Sequence, residues 1–135
     1  MPRLRRPGRR LRDAALFDEA ILAAADEIYT TFDYLPFGRL SALDRLAGRI
    51  STYASESDDV LKISHAVNGV QRLGEDGPYV ASDTTKFPPA KYRVVDCTSI
   101  DDYDFGLASS HQYYRRSPTV RTNIANTLAG NQSSA

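Results

Sequence analysis

The sequence predicts an α/β fold built on about three parallel strands with helices on their flanks. Three short segments, at roughly 20–25, 49–55 and 92–98, are rich in apolar, β-branched or aromatic residues and have the length of strands. Segments with the apolar spacing of helices follow each of them. A chain that alternates strands and helices in this way is typical of right-handed crossovers that build a parallel sheet.

The first strand is predicted over 20–25, a continuous apolar run of the kind that is buried on both faces of a sheet. Leucines then recur at helical spacing between 40 and 47, which predicts a short amphipathic helix. Ser41 is the candidate N-cap of this helix. Gly48 is expected to end it.

The second strand is predicted over 49–55, where β-branched and aromatic residues alternate. Asp58 and Asp59 follow it and precede a second helical pattern. Either acid suits a helix N-terminus, because its side chain can cap the helix or interact with the positive end of the dipole. Gly69 is expected to end this helix.

A long irregular connection is predicted over 71–91, where glycines and prolines recur. The third strand follows at 92–98. Ser117 and Pro118 then form a cap-then-proline helix start, and Gly130 is expected to stop that last helix.

The composition fits one globular domain, with 135 residues of which 41% are hydrophobic and 25% charged. Six arginines fall within the first twelve residues, which leaves eleven basic and seventeen acidic residues in the remainder. We therefore predict a disordered arginine-rich leader at 1–16, a folded domain at 17–130 and a frayed tail at 131–135. The acidic body makes nucleic acid an unexpected partner.

No apolar run approaches the length of a membrane span, and no signal-peptide core follows the arginines. We expect a soluble, cytoplasmic protein without a membrane partner. Cys97 is the single cysteine, which excludes an internal disulfide and suggests a small core residue. The chain has only two histidines, His65 and His111, as further typical metal ligands, so we expect no metal and no other cofactor.

Candidate catalytic residues lie where two predicted strands end, which is where open α/β sheets bind ligands. Asp58 follows the second strand, and His111 lies between the third strand and the last helix. An acid before a histidine on successive strands is the latter half of the Ser, Asp, His order of α/β-hydrolases. Asp59 competes with Asp58 for the acid, whereas His65 is interpreted as a structural residue inside a helix.

Four segments resemble a bacterial branch of the α/β-hydrolase superfamily that has no known function. The resemblance covers about 17–130 and implies a partial α/β-hydrolase fold. It implies that Asp58 is the triad acid, that His111 is the triad base, and that Asp26 occupies a further acidic position of the family. The segments are RISTYASESDDVLKIS at 49–64, RLGEDGP at 72–78, RVVDCTS at 93–99 and HQYYRRSPTV at 111–120.

The sequence departs from such hydrolases in its nucleophile. None of the eight glycines belongs to a G-x-S-x-G elbow, and the arginine-rich stretch stands where the nucleophile strand is expected. We therefore expect a truncated or split serine hydrolase that is inactive alone. If a nucleophile-bearing segment completed it, the substrate would be a small ester. A sheet lacking its neighbouring strand is also expected to self-associate through the exposed edge.

Two other functions fit the sequence. The chain could be a small α/β binding module whose arginine-rich arm contacts anionic polymers, and deletion of 1–12 would then abolish a salt-sensitive affinity. It could also be an active esterase with a non-standard serine. This hypothesis predicts that the chain hydrolyses esters and that His111→Ala abolishes the hydrolysis.

Overall fold

Three parallel strands flanked by helices form the body of the chain, so the predicted α/β class is confirmed. The computed structural model describes residues 15–27, 29–32, 39–78, 85–103 and 109–131. The strands are β1 (Phe17–Ala23), β2 (Ala47–Ala54) and β3 (Tyr92–Asp96). The helices are α1 (Leu43–Leu46), α2 (Asp59–Asn68), α3 (Leu73–Asp76), α4 (Tyr113–Arg116) and α5 (Pro118–Leu128), and a 3₁₀ turn at Ser109–Gln112 precedes α4.

The sheet has the order β1-β2-β3, with both pairs parallel. Tyr53 lies between Ala23 on one side and Val95 on the other, so the three strands end close together. Parallel strands present their carboxyl ends at one edge of the sheet. The segments that follow β2 and β3 therefore begin at the same edge.

The first strand lies earlier than the apolar run suggested, since β1 begins at Phe17 and ends at Ala23. Ala24 follows with a positive φ of 50°, which takes the backbone out of the extended conformation. The side chains of β1 are exposed or half-buried rather than buried on both faces. The prediction of a fully buried strand is wrong because, within the described residues, β1 pairs with β2 alone and is an edge strand.

The helix predicted over 40–47 is a single turn, α1, and its expected cap and stop are both wrong. Its N-cap is Ala42, without any side-chain capping bond, so Ser41 does not have this role. Gly48 belongs to β2 instead. A Cβ at Gly48 would meet the carbonyl oxygen of Asp18 at 3.0 Å, so this glycine permits close approach of two strands rather than ending a helix.

The helix that follows β2 is confirmed at both ends. Asp58 is the N-cap of α2, and its side chain accepts a hydrogen bond from the backbone N–H of Leu61. Gly69 ends the helix with a φ of 69°, and its N–H donates to the carbonyl of His65.

The described part of the connection over 71–91 contains a helical turn, α3, where no regular element was predicted. Gly74 makes this turn possible, because a Cβ there would lie 2.6 Å from both the backbone nitrogen of Ala25 and Cδ1 of Leu61. The recurring glycines and prolines of this connection were expected to exclude any regular element. The actual effect of Gly74 is to let α3 pack directly against the end of β1.

The last helix begins as predicted, with Pro118 in its first turn and Ser117 as N-cap. The Ser117 hydroxyl oxygen accepts a hydrogen bond from the N–H of Val120 at 3.1 Å. The hydroxyl of Tyr53 on β2 donates to the side chain of Asn123, which fixes α5 against the sheet. A buried cluster lies between them, formed by Ala24, Tyr53, Cys97, Tyr113 and Val120.

Among the described residues, no helix combines the length and the apolar character that crossing a bilayer requires.

Candidate active site

Asp58 lies in the turn between β2 and α2, at the carboxyl edge of the sheet. The N–H of Ser57 donates to the hydroxyl oxygen of Ser55, which shapes the turn that leads to Asp58. The Asp58 side chain is fully buried. One carboxylate oxygen, Oδ1, accepts from the N–H of Leu61 at 3.0 Å, and the other, Oδ2, lies 2.7 Å from Nδ1 of His111.

His111 reaches this carboxylate from the 3₁₀ turn that follows β3. Its side chain is 23% exposed, so it lies between the buried acid and solvent. An ionised carboxylate can only accept a hydrogen bond, so Nδ1 carries the proton and Nε2 of a neutral ring holds a free lone pair. No described residue forms a hydrogen bond with Nε2. That nitrogen is therefore available to a group outside the described residues.

A second contact ties the histidine turn to α2. The N–H of Asp59 donates to the hydroxyl oxygen of Ser110 at 3.0 Å. The Asp59 carboxylate itself points outward and lies 3.7 Å from the ammonium group of Lys62. Of the two candidate acids, Asp58 is therefore the one that contacts His111. The sequence pattern did not indicate this contact of Ser110, because its partner is 51 positions away in the chain.

Tyrosine side chains surround the pair. The ring of Tyr114 lies edge-on to that of His111, with centroids 6.5 Å apart. The Tyr113 hydroxyl donates to the carbonyl of Tyr53 at 2.9 Å, and burial raises the pKa of this phenol well above its usual range. Burial, with a contribution from the charge of Asp58, also raises the pKa of Tyr103. These phenols are neutral at physiological pH and are not acid–base groups there.

Cys97 is a buried thiol below the site rather than a nucleophile. Burial, together with the nearby charge of Asp96, raises its pKa to about 12. Because the thiolate is the reactive form, a thiol with this pKa is inert at neutral pH.

The remaining candidates, Asp26 and His65, make separate contacts. Asp26 accepts from Nε of Arg72 at 2.6 Å and from the hydroxyl of Ser64 at 2.7 Å, which joins the end of β1 to α2 and α3. Nδ1 of His65 lies 3.0 Å from Oε2 of Glu75. Both groups link neighbouring elements, and the structure does not bring either of them to the Asp58–His111 contact.

In the part of the chain that the structure describes, no three His, Cys, Asp or Glu side chains converge, so this part offers no candidate metal site. The arrangement instead offers acid–base chemistry. A buried carboxylate that orients an imidazole, with the second ring nitrogen free, is the geometry by which a histidine is prepared to remove a proton.

A parallel sheet with a carboxylate and a histidine in contact after successive strands defines the class as α/β-hydrolase. The comparison with known families agrees, since the family "Alpha/beta hydrolase of unknown function (DUF900)" matches residues 4–131. The chain belongs to this family. The match extends into the arginine-rich segment, further toward the N-terminus than the resemblance over 17–130. No curated protein and no solved structure gives a significant match.

Proposed function

We propose that this chain provides the acid and the base of a serine-hydrolase triad, Asp58 and His111, for the hydrolysis of a small-molecule ester. The observation that carries the proposal is the 2.7 Å contact between Oδ2 of Asp58 and Nδ1 of His111. Membership of an α/β-hydrolase family supports it independently.

The chemistry follows from the orientation of the imidazole. Nε2 of His111 removes the proton from a serine hydroxyl as its oxygen attacks the ester carbonyl. Asp58 holds the Nδ1–H tautomer and stabilises the imidazolium that forms. The imidazolium then returns the proton to the departing alcohol, and water, activated by the same nitrogen, releases the acid from the acyl-serine.

The serine belongs, in this proposal, to a segment outside the printed sequence. No G-x-S-x-G occurs in the 135 residues. Two serines close to His111 in the sequence have other roles in the described structure: the hydroxyl oxygen of Ser110 accepts from the N–H of Asp59, and that of Ser117 caps α5. Members of a triad act as a unit, so this chain alone is expected to hydrolyse esters at close to the background rate.

The outer edge of β1 is the proposed place of contact with that segment or with a second copy of the chain. Within the described residues this edge has no strand partner. Leu16 and Phe17, next to it, are 67% and 60% exposed. An edge with free backbone groups and exposed apolar side chains favours the addition of another strand.

The proposal is tested with a fluorophosphonate, which labels activated serines, and with p-nitrophenyl butyrate as a substrate. The chain alone should show neither labelling nor turnover above a heat-denatured sample. Co-expression with the coding sequence directly upstream should yield one labelled serine and ester turnover. In that complex, His111→Ala should lower kcat by about 10³-fold or more.

His65→Ala is the matched control, because this imidazole also contacts a carboxylate but lies away from the carboxyl edge. It should change kcat less than about twofold, since structural ion pairs of this kind act on stability. Labelling of a serine within these 135 residues would contradict the proposal. So would a co-expressed complex without labelling, or turnover that His111→Ala leaves intact.

A further inference from the structure

A basic cavity lies at the start of α5. It has a volume of about 400 Å³. Its described lining consists of Asp102, Tyr103, Arg115, Arg116, Pro118 and Arg121.

The three guanidinium groups of this cavity are not neutralised within the described part of the chain. Arg115, Arg116 and Arg121 are exposed, and none of their guanidinium groups forms an ion pair or hydrogen bond with a described residue. Arginine presents its donors in a rigid planar fork that matches the oxygens of an oxyanion. Three such forks around one cavity indicate a place for an anionic group.

Asp102, the one carboxylate in the described part of the lining, does not neutralise the arginines directly. One oxygen accepts from the Ser117 hydroxyl, and the other accepts from the N–H of Thr119 at 3.0 Å and from its hydroxyl at 2.6 Å. Both carboxylate oxygens of Asp102 therefore accept hydrogen bonds from groups at the N-terminus of α5. Three guanidinium groups against this one carboxylate leave the described lining with a net charge of +2.

An apolar groove adjoins the basic cavity along α5. The groove has a volume of about 600 Å³ and is lined in part by Tyr114, Ile124 and Leu128. It shares Pro118 and Arg121 with the basic cavity. Tyr114, which lines the groove, also lies edge-on to the ring of His111. A molecule that occupies both spaces can therefore place an apolar part in the groove and an anionic group against the arginines.

We propose that this cavity binds the phosphate group of a small phosphorylated ester, whose apolar part occupies the groove. A phosphate monoester is largely dianionic near neutral pH and offers three acceptor oxygens, which matches the net charge and the number of guanidinium groups. A carboxylate offers one charge and two oxygens. This inference rests on the proposed function for the identity of the ligand as substrate, but the binding site itself is testable without catalysis.

The test is a titration of the full chain with inorganic phosphate at pH 7.5 and low ionic strength, followed by amide NMR shifts. The amides of Arg115, Arg116 and Arg121 should shift saturably, and sodium acetate at equal ionic strength should shift them less. Arg116→Gln/Arg121→Gln should weaken phosphate binding about 10-fold or more, because charge-assisted hydrogen bonds are lost. Arg45→Gln, which removes an exposed arginine on α1, is the matched control and should leave the affinity unchanged.

Linear, non-saturating shifts that acetate reproduces would overturn the proposal, as would equal weakening by the control. A twelve-nucleotide oligothymidine that displaces phosphate and binds at least tenfold more tightly would also overturn it, since the cavity would then belong to a nucleic-acid surface. Failure of this titration leaves the acid–histidine proposal standing. Conversely, failure of the fluorophosphonate test leaves a phosphate site standing.

Discussion

The buried carboxylate of Asp58 forms hydrogen bonds with two partners. Oδ1 caps α2 through the N–H of Leu61, while Oδ2 contacts His111. The sequence offered these roles as alternatives, since an acid before a helix is either a cap or a triad member. The structure shows that one residue makes both contacts. An N-cap position is fixed by the helix that it begins, which gives the histidine a rigid partner.

We predict that Asp58→Ala lowers the free energy of unfolding by about 2–4 kcal/mol, because it removes a cap and a buried hydrogen-bond partner of His111. Asp58→Asn should cost less, about 1–2 kcal/mol, since asparagine caps helices as well as aspartate does. Urea denaturation measures both values. Equal losses for the two variants would show that the cap contributes nothing.

At the scale of elements, the start of α5 is held by a carboxylate from the preceding loop. Asp102 accepts from Ser117 and from Thr119, and these hydrogen bonds lower the pKa of its carboxyl. The sequence predicted that Ser117 and Pro118 begin a helix. It did not predict the hydrogen bond between Ser117 and Asp102, because the segment before the helix contains three equivalent acids, Asp101, Asp102 and Asp104.

The lowered pKa of Asp102 predicts a defined pH dependence. A carboxyl with a folded pKa below its unfolded value stabilises the fold above the unfolded pKa, about 3.9, and this stabilisation is lost as the pH falls through the folded value. Asp102→Asn should therefore lower Tm at pH 7, and its Tm should converge with that of the parent as the pH falls through the folded pKa of Asp102. Asp101→Asn, the neighbouring exposed acid, is the control. A Tm difference for Asp102→Asn that does not shrink in acid would contradict this assignment.

Local sequence patterns predicted the ends of an element correctly where the residues that fix those ends belong to the element or flank it directly. The cap and stop of α2 and the beginning of α5 are such cases. Gly48 and Gly74 show the opposite, because each glycine is explained by a close approach to a distant backbone, Asp18 and Ala25 respectively. The spacing of residues along the chain does not encode such contacts. Both glycines were therefore expected to end or exclude a regular element.

At the scale of the whole molecule, the parallel order of the sheet brings Asp58 and His111 together. The order of strands and helices was enough to predict that both residues lie at one edge. It did not predict the arginine cavity, because Asp102 and Arg121 are distant in the sequence and line one cavity only in the folded chain. The leader at 1–16 and tail at 131–135 remain predictions, since residues 1–14 and 132–135 lie outside the described structure.

The outer edge of β1, which pairs with no other strand among the described residues, predicts self-association of the isolated chain. Sedimentation velocity at micromolar concentration should detect dimers or larger species, and Leu16→Lys/Phe17→Lys should shift the population to monomer because lysines block edge pairing. Ile63→Lys/Val67→Lys is the matched control, since these α2 side chains are equally exposed, at 66% and 79%, but remote from β1 in sequence. A monomeric parent chain, or equal dissociation by the control, would contradict the role of this edge.

The tautomer of His111 tests the central claim most directly. In nitrogen and proton NMR of the chain at a pH where the ring is neutral, assigned with His111→Gln, the account predicts a hydrogen on Nδ1 that is bonded to Asp58, and an unprotonated Nε2. A ring of His111 that instead carries its hydrogen on Nε2, with signals unchanged by Asp58→Asn, would mean that the carboxylate does not orient the histidine.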